Sequence, residues 1–480
     1  MTRRAWLLVA ITLPGCATSS PAASESPALT TVACEGRTPP GARCATLRVP
    51  ENRADPERRT IALYTMTLPA TGERATPDPV LFLAGGPGQA ATSLAGLAEA
   101  SGLRRSRDIV LADQRGTGRS NGLGCRFYGP PESPQSYFTP FLPLDKVRAC
   151  RLELAERADL SQYTTEASVA DLEALRAAMG RERLNLIGSS YGTRLAMEYV
   201  RRHETRVRTV ILDGPVPPSV PMPQDFGRLA QASLDHLLEE CVATPACNGA
   251  FPGIVSEARD VFLRLQRAPV TVTLAHPDGG VTAPVRLTRD HVAEAIRYMT
   301  YSSRSAGDVP LALHRAYSGD YRPIAEFLIR DRRDGMFDGL YLSITCTEDV
   351  PFLSEDAAAR DAPTYLGAYR VREQQAACGE WPRGKAPASR GTPVTANVPV
   401  LILAGVLDPV TPPQHGVEIA RTLANSRQLT IPFGGHSRAG LDGLECVTGA
   451  ITAFVERGDF SGVDAACAGS VKRRAFATAR

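Results

Sequence analysis

Two adjacent serines, Ser189 and Ser190, lie between glycines in NLIGSSYGTRL, which spans residues 185–195. The run GSSYG fits the pattern G-x-S-x-G, in which a serine on a sharp turn between a strand and a helix attacks a carbonyl carbon. Because the backbone packs closely around such a turn, small residues are needed two positions before and after the nucleophile. Ser190 has glycine at both positions, whereas Ser189 has Ile187 and Tyr191. The sequence therefore predicts Ser190 as the nucleophile.

A histidine and an aspartate nearer the C-terminus could complete this chemistry. A serine hydroxyl is a weak nucleophile near neutral pH, so it needs a base, which an acid in turn orients. His436 follows the last apolar run, in PFGGHSRAG, and Asp408 follows the preceding one, in LILAGVLDPVTPP. The chain order serine, aspartate, histidine is one of the known orders of a catalytic triad. It predicts Asp408 as the acid and His436 as the base, with Asp213 in VRTVILDGP as the alternative acid.

The oxyanion of the tetrahedral intermediate would need hydrogen-bond donors. The turn at the nucleophile would supply the backbone N–H of Tyr191. We expect the second donor from the glycine-rich run AGGPGQ at 84–89, where the backbone can approach a substrate closely. Gly86 is the preferred residue and Gly85 is the alternative. A phosphate-binding loop is not indicated, because no lysine follows at the required spacing.

Strands and helices alternate in the parts of the chain that carry these residues. Apolar runs that end in polar turns, such as PVLFLAGGPGQ and DIVLADQRGTGRS, alternate with helical patterns such as ASVADLEALRAAMG. This alternation predicts an α/β fold with a mostly parallel sheet and helices on both faces. The alternation stops after Pro215 and resumes at VPVLILAGVLDPVTPP. We therefore predict a core in two pieces, 34–215 and 395–480, and a large, mainly helical cap insertion at 216–394.

The N-terminal residues favour export. An apolar run at 5–13 follows a short basic start and is too short to span a bilayer of roughly 30 Å. The LPGC that follows resembles the end of a bacterial lipoprotein signal. We therefore predict a signal peptide at 1–16, lipidation of Cys16 and a flexible tether at 17–33. Cleavage by an ordinary signal peptidase and a plain buried apolar segment are the alternatives.

Ten further cysteines support an oxidising compartment. They fall along the 480-residue chain as neighbouring pairs, and although the sequence does not fix their connectivity, sequential pairing into five disulfides is the simplest hypothesis. A metal site is not expected, because no Cys-x-x-Cys occurs and the seven histidines are scattered. Nucleic acid is not an expected partner either, since the net charge is only +3 without any long basic cluster. The expected pairs are Cys34 and Cys44, Cys125 and Cys150, Cys241 and Cys247, Cys346 and Cys378, and Cys446 and Cys467.

Together these motifs resemble the α/β-hydrolase serine exopeptidases, the family of the proline iminopeptidases and the secreted bacterial tripeptidyl aminopeptidases. The resemblance rests on GGPG, DQRGTGRS, GSSYG, LDGP, GVLDPVTP and GGHS, in that order along the chain. The cap segments CVATPACNGAFP, ITCTED and CGEWP resemble the tripeptidyl branch. One departure is Ala84, where iminopeptidases usually carry histidine before GGPG, and it argues against a plain cytoplasmic prolyl enzyme.

The resemblance implies removal of short units from the free N-terminus of short peptides, by acyl transfer to Ser190 and hydrolysis, without a cofactor. It also implies that cap carboxylates hold the substrate ammonium, and Glu348 and Asp349, beside Cys346, are the candidates. Ordinary solvated acids at a helix start are the alternative interpretation of that pair. With lipidated Cys16, the enzyme would be anchored in the cell envelope, facing the periplasm or the cell surface.

Two other functions remain open at this point. The same triad would serve a lipoprotein carboxylesterase or lipase, because that chemistry differs only in the leaving group. A hydrolase fold without activity could act as a surface binding module, but such a protein would be expected to lack a residue of the triad. All three residues are present in the sequence.

Overall fold

A nine-stranded sheet forms the centre of the protein in a computed structural model, which describes residues 1–2, 28–36, 38–73, 75–129, 133–333 and 335–479. Its order is β1-β2-β3-β5-β4-β6-β7-β10-β11, antiparallel from β1 to β5 and parallel from β5 to β11. The predicted α/β fold with a mostly parallel sheet is therefore confirmed. The strands of the described chain are β1 (Thr30–Val32), β2 (Arg43–Pro50), β3 (Thr60–Leu68), β4 (Val80–Leu83), β5 (Ile109–Ala112), β6 (Leu184–Ser189), β7 (Val207–Asp213), β8 (Val270–Ala275), β9 (Thr282–Leu287), β10 (Val400–Gly405), β11 (Ser426–Ile431), β12 (Leu441–Asp442) and β13 (Lys472–Arg473).

Helices cover both faces of this sheet. Successive residues of a strand point to opposite faces, and in β4 the side chains of Leu81 and Leu83 pack with α3 and α4, whereas those of Val80 and Phe82 pack with α1 and α16. The helices of the described chain are α1 (Ala95–Ala100), α2 (Leu144–Ala155), α3 (Thr165–Ala178), α4 (Tyr191–His203), α5 (Phe226–Ala243), α6 (Pro245–Ala250), α7 (Ile254–Arg267), α8 (Arg289–Tyr301), α9 (Ser303–Ala306), α10 (Val309–Tyr317), α11 (Arg322–Arg333), α12 (Asp338–Glu348), α13 (Ala357–Asp361), α14 (Tyr369–Glu380), α15 (Pro413–Ala420) and α16 (Glu445–Arg457).

The chain between β7 and β10 is mainly helical. It contains α5 to α14 and the antiparallel hairpin of β8 and β9. Its helices bury a hydrophobic cluster of their own, which includes Leu234 of α5, Val261 of α7, Ile296 of α8 and Leu328 of α11. We call this part of the molecule the cap. The residue limits given above for the core pieces and the cap stay predictions.

Disulfides join cysteines that are neighbours in the sequence. All five expected pairs are bonded: Cys34–Cys44, Cys125–Cys150, Cys241–Cys247, Cys346–Cys378 and Cys446–Cys467. The hypothesis of sequential pairing is therefore confirmed. Disulfides persist in oxidising compartments, so they favour an exported protein.

The predicted signal peptide lies almost entirely outside the described residues, as do Cys16 and the tether up to residue 27. Among the helices that the structure describes, none combines the length and the apolar character needed to cross a bilayer.

Candidate active site

Ser190 occupies a sharp turn between β6 and α4. Its backbone angles are φ 55° and ψ −123°, a conformation that a non-glycine residue adopts only when the surrounding structure imposes it. A Cβ at Gly188 would collide with the backbone of Gly192, and one at Gly192 would collide with the carbonyl of Leu83. The two glycines are therefore required by packing, which is the physical reason given above for preferring Ser190 to Ser189.

His436 and Asp408 meet at the carboxyl end of the sheet. Nδ1 of His436 lies 2.8 Å from Oδ2 of Asp408. The carboxylate is buried and also accepts hydrogen bonds from the backbone N–H groups of Val410 and Thr411, each at 2.8 Å, and from the Thr411 hydroxyl at 2.6 Å. Burial raises the pKa of Asp408, but His436 and the Thr411 hydrogen bonds outweigh it and hold the pKa below its ordinary value. Asp408 is therefore an ionised, fixed partner for the imidazole.

The environment of His436 makes its ring a stronger base. Burial lowers the pKa of His436, but the charge and hydrogen bond of Asp408 raise it more, and Asp213 adds to the rise, so the pKa lies above the ordinary value of 6.5. The ring of Tyr301 packs edge-on against the imidazole, with 5.1 Å between the ring centroids. The imidazole thus has an oriented Nδ1 side and a raised proton affinity, as a general base needs.

The alternative acid, Asp213, has a different partner. Both terminal nitrogens of Arg438 donate hydrogen bonds to its carboxylate, with 2.6 Å between Nη2 and Oδ2. Asp408, and not Asp213, is the carboxylate that accepts the hydrogen bond from His436 Nδ1. The geometry thus favours Asp408 over Asp213 as the residue that orients the imidazole.

The glycine-rich turn after β4 lies beside Ser190. A Cβ built on Gly85 would be 3.0 Å from the Cβ of Ser190, so only a glycine lets the turn approach this closely. Gly85 and Gly86 both line the cavity described below. Tyr191 begins α4, and the first N–H groups of a helix have no partner within the helix. Tyr191 and Gly86, with Gly85 as the alternative, stay the predicted donors of the oxyanion site.

A cavity of about 890 Å³ lies between these core residues and the cap. This volume is at the upper end of the range for small-molecule sites. Sequence reasoning missed the residues that the cap contributes. The spacing of Arg297 and Tyr301, four positions apart on α8, indicates only that they share one face of a helix and does not indicate a cavity. The lining includes Gly85, Ser190 and His436 from the core and Phe226, Arg297, Tyr298, Tyr301, Tyr341 and Arg370 from the cap.

The two acids expected to form the ammonium anchor lie away from this cavity. Neither Glu348 nor Asp349 is among the described residues that line the cavity. Glu348 is buried and accepts hydrogen bonds from the backbone N–H of Thr165 at 2.7 Å and from its hydroxyl at 2.6 Å. Asp349 is fully buried and accepts a hydrogen bond from Arg194 at 2.8 Å, with Arg390 at 3.4 Å. Both carboxylates therefore bind residues of the protein itself, so the geometry does not favour them as the anchor of a substrate ammonium.

Comparison with known proteins identifies the family of this chain. Residues 78–438 match the family model of the α/β hydrolase fold. The chain belongs to the α/β-hydrolase family and is a serine hydrolase of this fold.

Three curated relatives cover most of the chain. The serine protease Hip1 of Mycobacterium tuberculosis is 24% identical over 470 residues, which cover 87% of this chain and 85% of the relative. The tripeptidyl aminopeptidase of Streptomyces coelicolor is 24% identical over 495 residues, with coverages of 91% and 85%. Carboxylesterase B of Mycobacterium tuberculosis is 26% identical over 470 residues, with coverages of 89% and 86%. These relatives therefore include peptidases and an esterase.

Among solved structures, the proline iminopeptidase of Mycobacterium smegmatis is similar at a TM-score of 0.42 and 16% identity. The match covers 87% of this chain and 99% of that structure.

Proposed function

We propose that the protein is a serine peptidase that removes short units from the free N-terminus of small peptides, with Ser190, His436 and Asp408 as its triad. The observation that carries the proposal is the hydrogen bond of 2.8 Å between Asp408 and His436, whose ring lines the same cavity as the strained Ser190. A strained serine, an oriented imidazole and a buried carboxylate are the three parts of acyl-transfer catalysis.

In the proposed reaction, Ser190 Oγ attacks the carbonyl carbon of the scissile bond while His436 Nε2 takes the hydroxyl proton. Asp408 stabilises the imidazolium that forms. The backbone N–H groups of Tyr191 and Gly86 donate to the oxyanion. When the intermediate collapses, the C–N bond breaks and His436 gives its proton to the leaving amine. A water molecule then attacks the acyl-enzyme by the same route, which releases the acid and restores the Ser190 hydroxyl.

The cap supports a preference for chain ends and short substrates. Side chains from α5, α8, α12 and α14 line the cap side of the cavity that Ser190 also lines. A site closed on that side leaves little room for a polypeptide that continues in both directions. The names of two relatives, a serine protease and a tripeptidyl aminopeptidase, agree with peptide cleavage.

We further propose that the enzyme is exported and is held in the cell envelope by a lipid on Cys16. The five disulfides support export. The anchor depends on the sequence LPGC alone. Mass spectrometry of the N-terminal fragment from membranes of the producing cell tests this proposal. A diacylglyceryl group on Cys16 would support it, and an unmodified chain that starts elsewhere would contradict it.

Carboxylesterase activity is the second candidate, because one relative of similar identity is named as an esterase. A tripeptidyl p-nitroanilide and a short acyl p-nitrophenyl ester separate the two functions. We expect anilide turnover that Ser190→Ala abolishes and that Ser189→Ala, the matched neighbour, largely retains. Ester turnover without anilide turnover would contradict the peptidase proposal and leave the hydrolase class intact.

A further inference from the structure

The cap side of the cavity carries two arginines, Arg297 of α8 and Arg370 of α14. Their relative exposures are 1% and 3%. Asp213 is the carboxylate among the described residues that line the cavity, and it is paired with Arg438. A guanidinium does not lose its proton in proteins, so this side of the cavity is positively charged.

These two arginines differ from the other buried arginines of the described chain. A buried charge without a partner is costly, and proteins normally pair it. Seven arginines are buried, and Arg297 and Arg370 are the two that form no ion pair with a described carboxylate. The five paired ones are Arg107 with Asp78, Arg115 with Asp171, Arg176 with Glu173, Arg194 with Asp349 and Arg332 with Glu294.

Tyrosine hydroxyls and aromatic rings meet only part of the hydrogen-bonding capacity of the two guanidiniums. Arg297 donates from Nη2 to Tyr301 at 2.6 Å, and Arg370 donates from Nη2 to Tyr341 at 3.4 Å. Nε of Arg297 and both Nε and Nη1 of Arg370 are buried and have no hydrogen-bond partner among the described atoms. The guanidinium of Arg370 lies 3.4 Å from the ring centroid of Phe141.

Their neighbours do not cancel the charge. Burial and the like charge of Arg370 act to lower the pKa of Arg297, but Tyr301 and Tyr298 outweigh them and hold the pKa above its ordinary value. The two positive groups still repel each other. The negative charge of Glu294 acts to raise the pKa of Arg370, but Glu294 forms its ion pair with Arg332, at 2.7 Å. An anion bound at the cavity surface would supply the missing negative charge and relieve the repulsion.

We propose that Arg297 and Arg370 bind a carboxylate of the substrate, so that the enzyme selects peptides with an anionic group close to the scissile bond. This inference rests on the proposed function, because it assigns the substrate of the site at Ser190. Arginine suits the role, since its fork of N–H donors matches the two oxygens of a carboxylate.

The position of Arg297 places the anion site close to the catalytic base. Arg297 is bonded to Tyr301, and the ring of Tyr301 packs on the imidazole of His436. The anion site is therefore separated from the catalytic base by a single side chain. The carboxylate belongs either to an acidic side chain in the released unit or to the C-terminus of a very short peptide.

Matched substrates test the proposal. Ala-Ala-Glu-p-nitroanilide and Ala-Ala-Gln-p-nitroanilide differ only in the charge of one side chain. Tetra-alanine with a free and with an amidated C-terminus tests the other source of the carboxylate. We expect kcat/KM to be about tenfold or more higher for the charged member of one pair, which is the factor that a charge-assisted hydrogen bond contributes. Ratios close to one in both pairs would overturn the proposal.

Variants of the two arginines connect the preference to the site. In Arg370→Gln and Arg297→Gln the ratio of kcat/KM between charged and neutral substrates is expected to fall towards one, and in Arg370→Lys it is expected to recover in part. Arg148→Gln is the matched control, because Arg148 is an exposed residue paired with Glu380 on the surface and should keep the wild-type ratio. A preference that survives in both glutamine variants, shown to be folded by circular dichroism, would contradict the assignment of the site.

A binding measurement separates this inference from the proposed function. Calorimetry of Ala-Ala-Glu and Ala-Ala-Gln with the Ser190→Ala protein needs no turnover. Tighter binding of the acidic peptide would support the anion site even if no anilide were cleaved. Equal affinities together with normal peptidase activity would overturn the anion site and leave the proposed function intact.

Discussion

Two carboxylates lie near the imidazole of His436, and they have different partners. Asp408 accepts a hydrogen bond from the ring at 2.8 Å, whereas Asp213 is bonded to Arg438. The sequence could narrow the orienting acid to these two residues, because both follow apolar strands. It could not establish which of the two orients the imidazole, because Arg438, the partner of Asp213, lies 225 positions away in the chain. Long-range pairing of this kind leaves no local pattern.

Substitution of the two acids separates their roles. Asp408→Asn should lower kcat by about 10⁴-fold, since an amide favours the wrong tautomer of the imidazole. Asp213→Asn should lower it far less, because the bond between Asp408 and His436 stays in place. Steady-state kinetics on one anilide substrate measures both variants. Near-normal activity of Asp408→Asn would show that the acid has been assigned wrongly.

The pH profile reports the electrostatics around His436. Only the neutral imidazole can accept the proton of Ser190, so kcat/KM should fall as the pH drops through the raised pKa of His436, at a pH above 6.5. Asp213 helps to raise this pKa. Asp213→Asn should therefore move the acidic limb to lower pH. A limb that stays in place, or moves to higher pH, would contradict this reading of the charges.

The residues that we propose to set specificity were harder to predict than those that we propose to do the chemistry. Ser190 is marked by glycines on both sides, and those glycines are needed for local packing. Arg297 and Arg370 lie in ordinary amphipathic helices, where an arginine normally faces solvent. Their burial follows from the packing of α8 and α14 around the cavity, which local periodicity does not reveal.

At the scale of elements, α12 shows how the two acids expected to form the ammonium anchor are held. The segment ITCTED ends in two acids, which typically face solvent or a ligand. In the structure every residue of α12 after Asp338 is buried, and the acids at its end bind Thr165 and Arg194. Glu348 thereby supports the hydroxyl of Thr165, which in turn lies 2.8 Å from that of Tyr191. These carboxylates hold the cap segment against the nucleophile turn.

Burial of Glu348 makes stability depend on pH. Burial raises its pKa from 4.5 to about 7, so between these values the folded protein holds a proton that the unfolded chain has lost. The free energy of unfolding should therefore fall as the pH rises through this window, by about 3 kcal/mol in total. Glu348→Gln should remove this decrease. Urea unfolding at pH 5 and pH 8 measures the change.

Two comparisons sharpen that experiment. Glu355→Gln, at an exposed position of the cap, controls for the substitution itself. The KM of Glu348→Gln for a peptide substrate tests whether Glu348 instead holds the substrate ammonium. A large rise in KM with an unchanged pH dependence of stability would restore Glu348 as an ammonium anchor and contradict its structural role.

At the scale of the whole molecule, the sequence predicted the sheet and the disulfides well. Buried parallel strands appear as short apolar runs in the sequence. Each of the ten cysteines in the five disulfides is bonded to a neighbouring cysteine in the sequence. The sequence predicted the cap only as a helical insertion. The arrangement of α5 to α14 depends on contacts between helices that are distant in the chain, and periodicity specifies only which face of a helix is buried.

A disulfide that closes a longer loop should stabilise the fold more, with the logarithm of the loop length. Cys346–Cys378 spans 32 residues and Cys241–Cys247 spans 6. The entropy model gives about 4 kcal/mol for the longer loop and about 2 kcal/mol for the shorter one. All four cysteines are buried, so double alanine variants leave comparable packing defects. Urea unfolding should show the greater loss without Cys346–Cys378. Equal losses would contradict the entropic explanation.

The identity of the nucleophile can be measured directly. A fluorophosphonate probe reacts with an activated serine, and mass spectrometry of the digested protein locates the adduct. We expect one adduct, on Ser190, that Ser189→Ala retains and that Ser190→Ala abolishes. An adduct on Ser189, or labelling that persists in folded Ser190→Ala, would contradict the assignment of Ser190 as the catalytic serine.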